Sequence, residues 1–229
     1  MKEEGNDMKQ NAKRIFAMLI LLALTAAGFW MRQTQQNLLV WAAVAAVAAF
    51  GVYAWRLQPG KEERCSKSVP AMLVSLAASV LLFGGALLRF SAGHHIAMVA
   101  LLALTALCWA VTAVLRQMGK PVSVWLFIIP AVFFAAELVV KFRVWGSDPQ
   151  ILDYCYELLA LIATMCAVYH MGSFSIGKGQ RRRTVFYAMS GVFFSGVALA
   201  DAVSHEGFIK LAVMLWLIAE LWRQLKGGK

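Results

Sequence analysis

Six ionisable side chains stand at costly positions in an otherwise oily chain: Glu137, Lys141, Arg143, Asp153, Glu157 and Asp201. A charge near the middle of a membrane helix costs on the order of 3 kcal/mol, so it persists only if it is paired, protonated or turned to a wet cavity. Glu137 and Lys141 are four residues apart in the order that favours an ion pair on a helix. Asp153 and Glu157 share that spacing and repel each other unless a cation or proton intervenes. The chemistry these residues offer is therefore binding. Asp153 and Glu157 would take a cation or proton, and Lys141 or Arg143 would hold an anionic group. A metal is the competing reading, through Asp201 and His205 four residues on. That pair needs a helix running through Gly207, which the glycine is expected to stop. No His-x-x-x-His supports it, and no metal site, catalytic residue or cofactor is expected.

Composition says what must position these residues. The chain has 229 residues, 61% hydrophobic and 15% charged, with mean hydropathy +0.67. A soluble domain averages about 45–50% apolar and about 25% charged. Apolar runs of roughly 17–25 residues, enough to cross about 30 Å of hydrocarbon, recur along its length. The short alternating strands of a membrane barrel are missing. The expected fold is all-α, a polytopic transmembrane helical bundle with eight spans and both termini cytoplasmic. Its parts are a mobile tail over 1–14, a single membrane domain over 15–222 and a basic tail over 223–229. The spans fall at 15–31, 38–55, 70–89, 96–115, 121–142, 148–171, 184–202 and 208–222. Pro70 and Pro121 suit first helical turns, Asp148-Pro149 reads as N-cap and N1, and Pro130 should kink the fifth span.

The formal charge of +10 argues for topology rather than for nucleic acid. With the N-terminus inside, only Arg32, Arg89, Lys141, Arg143 and Lys210 fall outside, leaving the other 17 of 22 basic residues within. That bias is the positive-inside pattern. Six acids (Glu137, Asp148, Asp153, Glu157, Asp201 and Glu206) then gather towards the outer end of spans five to eight. The inner loop over 172–183 is glycine-rich and basic but is not a P-loop. Lys178, Arg181, Arg182 and Arg183 are expected to anchor it to anionic lipid head groups. Trp30, Trp41, Trp55, Trp125, Trp145 and Trp222 lie near span ends, as an aromatic belt requires. Cys65, Cys108, Cys155 and Cys166 show no CxxC pattern, and neither a disulfide nor a zinc knuckle is expected.

From Trp145 to Met165 the chain reads W-G-S-D-P-Q-I-L-D-Y-C-Y-E-L-L-A-L-I-A-T-M, followed by Y-H-M-G-S-F and the Gly/Arg loop. In these residues it resembles an uncharacterised family of small polytopic membrane proteins from anaerobic bacteria, with no assigned activity. The likeness covers about a fifth of the chain. It implies a bacterial inner membrane and a single helical domain, and it brings no catalytic residues.

These readings leave three functions. The first is a small-ligand or ion binding, transport or sensory protein with an outward polar site between spans five, six and seven. The second is a structural or accessory subunit whose charges pair internally and whose small-residue faces meet a membrane-protein partner. The third is a metal-dependent intramembrane hydrolase. Lipid is the expected partner throughout.

Overall fold

The computed structural model describes residues 2–35, 38–57, 68–93, 95–145, 154–202 and 204–226. Within them lie eight helices and no strand: α1 (Lys2–Gln33), α2 (Leu39–Arg56), α3 (Val69–Ser91), α4 (Ile96–Met118), α5 (Trp125–Trp145), α6 (Cys155–Phe174), α7 (Arg181–Leu199) and α8 (Ser204–Lys226). Six of them, α1 to α6, are long and apolar enough to cross a membrane. The chain is thus a helical bundle of the multi-pass membrane type.

Six helices form a closed ring. Each of α3 to α8 packs on the next, and α3 packs on α8 to complete the circle. The hairpin of α1 and α2 lies outside the ring against α7. Successive helices alternate in direction. The C-terminal ends of α3 and α5 meet the N-terminal ends of α6 and α8 through ion pairs, and Arg32 at the end of α1 pairs with Asp201 just past the end of α7.

This arrangement explains why α7 and α8 fall outside the apolar set. From Thr184 to Ala198 almost every residue of α7 is buried, because α1, α2, α6 and α8 surround it. A helix that touches protein on all sides does not need lipid-compatible side chains. It can carry Thr184, Ser190, Gly191, Ser195 and Gly196, small residues that let helices approach closely. A methyl added at Gly191 would come within 2.7 Å of Leu217 Cδ1, and one at Gly85 within 2.7 Å of Ile209 Cγ1. These two glycines set the α7–α8 and α3–α8 contacts.

Several boundaries differ from the sequence reading. Helix α1 takes in the polar segment expected to be a mobile tail, because no proline interrupts it and each added residue extends the ladder by one bond. Helix α5 begins at Trp125 rather than at Pro121, and it continues through Pro130. Helix α6 begins, within the described residues, at Cys155 rather than at 148, so Glu157 lies in its first turn. Asp148, Pro149 and Asp153 lie outside the described residues. Helix α7 starts at Arg181, so the three arginines form its first turn. Helix α8 runs through Gly207 instead of stopping there; the roughly 1 kcal/mol penalty of a helical glycine is small beside the packing of α8 in the ring. Gly119, at φ +71°, closes α4, and the Lys120 N–H donates to Leu115 O at 3.0 Å.

The expected aromatic belt is partly visible. Trp30, Trp41, Trp55 and Trp125 are all well exposed, whereas the Trp145 side chain lies outside the described residues. Trp109 and Trp216 do the opposite. They stack at 4.4 Å and 3° between α4 and α8, fully enclosed.

Candidate functional site

Three cations and three carboxylates meet inside the ring near one end. Arg89 comes from α3, Glu137 and Lys141 from α5, Glu157 from α6, and Glu206 and Lys210 from α8. Arg89 grips Glu137 with two parallel bonds, NH1 to Oε2 at 3.0 Å and NH2 to Oε1 at 2.7 Å. This forked geometry is the strongest form of a guanidinium–carboxylate pair. Lys141 donates to Glu157 Oε1 and, at 3.0 Å, to Glu206 Oε1. Lys210 donates to Glu157 Oε2 at 2.8 Å and to Ala198 O of α7 at 3.2 Å. Longer approaches link Arg89 to Glu206 at 3.8 Å, Lys141 to Glu137 at 3.9 Å and Lys210 to Glu206 at 3.7 Å. Each of the six groups therefore lies within 4 Å of at least two opposite charges, and their formal charges cancel.

The cluster is well shielded. Its side chains are between 7% and 13% exposed, except Glu206 at 26%. All six border a cavity of about 40 Å³, which Phe133, Phe134 and Thr164 also line. That space holds water-sized occupants and excludes an organic ligand. Thr164 Oγ1 is buried beside it with no hydrogen-bond partner.

Of the residues expected from sequence, the structure brings Glu137, Lys141 and Glu157 together. Arg143 is exposed near the end of α5 and takes no part. Asp201 sits apart, accepting a 2.6 Å bond from Arg32 Nε, while the Arg32 guanidinium lies 5.6 Å over the Tyr156 ring. The His205 side chain lies outside the described residues, so its pairing with Asp201 does too. No three His, Cys, Asp or Glu side chains among the described residues form a group that could hold a metal. Sequence reasoning counted Arg89, Glu206 and Lys210 as outer charges and did not place them at the site. The Glu206–Lys210 spacing of four was the available signal.

A second, smaller cluster occupies the other end of the ring. Glu220 is held by Arg116 of α4 and by Arg223 Nη1 at 2.9 Å, and all three side chains are buried. The Arg116 guanidinium also lies 5.3 Å over Phe127. Along α8, Lys210 and Glu220 are about 15 Å apart, and the Trp109–Trp216 stack lies between them.

The arginines expected to face lipid head groups partly turn inward. Arg181 Nη2 donates to Gln224 O at 2.5 Å, at the C-terminal end of α8. Arg182 Nε donates to Leu57 O at 2.8 Å, just past α2, with its guanidinium 5.7 Å over Trp55. Both place a cation where a helix C-terminus presents unpaired carbonyls. Lys178 lies in the loop before α7, and Arg183 is exposed.

No protein-family model matches this chain, and neither the curated proteins nor the solved structures contain a significant match.

Proposed function

We propose that this chain is a non-catalytic, eight-span protein of a bacterial inner membrane, with both termini cytoplasmic, that serves as a structural or accessory subunit. In that role the charge cluster is an internal lock between α3, α5, α6 and α8. The observation that supports it is the completeness of the pairing: six charges, each with at least two opposite neighbours, beside a cavity too small for an organic ligand. The lipid-like environment, the bacterial setting and the topology rest on the apolar helices, the resemblance described above and the distribution of Lys and Arg.

The lock is tested by Glu157. Glu157→Gln leaves Lys141 and Lys210 without a shared counter-charge, and breaking a buried pair costs about 3–5 kcal/mol. Replacing both partners with apolar residues of similar size, Glu157→Met with Lys210→Met, is close to neutral by comparison. The expected outcome is a large fall in the melting temperature of the detergent-solubilised single variant and substantial recovery in the double variant. An unchanged single variant would sink the lock.

A second reading is favoured by Thr164 Oγ1 and the cavity it lines: the cluster binds a water-sized ion. It requires that a monovalent ion raise the melting temperature of the native chain and not that of Glu157→Gln.

A further inference from the structure

At the opposite end from the charge cluster lies a groove of about 720 Å³ between α1, α2 and α7. The hairpin is loosely closed, since α1 and α2 each pack on α7 more than on one another. Phe16, Ile20 and Leu24 form one wall, and Phe50 forms the other. At one end the apolar walls give way to Arg14, Arg56 and Arg181, with Tyr53 among them. Arg181 is oriented by its bond to the Gln224 carbonyl, and its Nε–H is buried without an acceptor. A long apolar slot ending in three guanidinium groups has the polarity of an anionic amphiphile.

We infer that this groove holds one anionic glycerophospholipid, with its phosphate among Arg14, Arg56 and Arg181 and its acyl chains between α1 and α2. A zwitterionic lipid would bring its own ammonium group towards these guanidinium groups, and a free phosphate would leave the apolar walls unused. A partner helix would put apolar side chains against the arginines. Basic pockets between membrane helices on the cytoplasmic side bind anionic head groups, and this groove opens at the end richer in Lys and Arg. The inference rests on the reading of the chain as membrane-embedded.

The full chain in detergent is titrated with dioleoylphosphatidylglycerol, dioleoylphosphatidylcholine and glycerol phosphate, and bound lipid is counted by native mass spectrometry. One phosphatidylglycerol per chain is expected, held at least tenfold more tightly than phosphatidylcholine. Each arginine near a head group contributes about 1 kcal/mol, so Arg56→Gln should weaken it about fivefold. Ala49→Trp, at an exposed position on the groove, should weaken it by filling the slot without changing charge, and circular dichroism verifies that each variant is folded. Equal binding of the two lipids, or variants that bind as the native chain does, would overturn the inference. Displacement of the lipid by glycerol phosphate at equal concentration would also overturn it, in favour of a free-anion site. Release of the chain from membranes at alkaline pH would instead remove the membrane reading itself.

Discussion

Glu220 shows how much a single side chain can bear in this bundle. It is completely enclosed, yet ionised partners flank it on both sides, Arg116 from α4 and Arg223 one turn along its own helix. Glu220→Gln would leave two guanidinium groups facing a neutral amide. The expected loss is about 3–5 kcal/mol, as for other broken buried pairs, read as a lower melting temperature in detergent. Adding Arg116→Met to that variant should recover part of it. Only some of these partnerships could be read in sequence. Glu137 and Lys141 share a helix face, so their spacing announces them. Arg89 reaches Glu137 across 48 positions, and Arg116 reaches Glu220 across 104. No local pattern encodes such a meeting, and Arg116 is equally well explained as one more inward-facing charge of the topology. Arg182 hides for a similar reason. A basic loop residue and a helix C-terminus look unrelated until folding brings Leu57 O to it.

At the level of the helices, all eight were expected as spans, but α1 to α6 alone are both long and apolar enough to cross a membrane, and the less apolar α7 is enclosed by its neighbours. Helices α7 and α8 are recognisable by small residues and spacing rather than by oiliness. Thr184, Ala188, Gly191, Ser195 and Ala198 form a stripe of small residues that is buried in α7, while Ala202, at the same spacing, lies past the end of the helix and is only half-buried. What the stripe could not say is which neighbour each residue meets. Gly85 is the sharpest case, since it faces Ile209 across the seam where α3 meets α8. Gly85→Val should push these helices apart and destabilise the protein by about 1–3 kcal/mol, the usual cost of overpacking. Gly84, the next residue, meets nothing within 4 Å, so Gly84→Val supplies the control. A seam that tolerated both equally would mean that α3 and α8 do not close the ring. Helix ends were the weakest part of the sequence reading. Pro121 looks like a start, yet α5 begins at Trp125, and a local signal of this kind yields to the packing that fixes where a helix is worth continuing.

For the molecule as a whole, the proposed orientation makes its own prediction. In a Cys155→Ala background, cysteine introduced at Ala92 should react with a membrane-impermeant thiol reagent on intact bacteria, and cysteine at Lys178 should react only after lysis. The reverse pattern would invert the topology. The ring itself was not legible, because alternation of spans gives a set of hairpins and not the contact between the third helix and the eighth. That contact sets an order of events during synthesis. At about 5–20 residues per second, the 104 positions between Arg116 and Glu220 take roughly 5–20 s to translate. Throughout that interval α4 must lodge in the membrane before the carboxylate that answers Arg116 exists. Helix α8 then delivers Glu206 and Lys210 to one end of the ring and Glu220 and Arg223 to the other in a single insertion. Until α8 arrives the bundle stays an open horseshoe, with Arg89, Lys141 and Glu157 short of the opposite charges that α8 brings them.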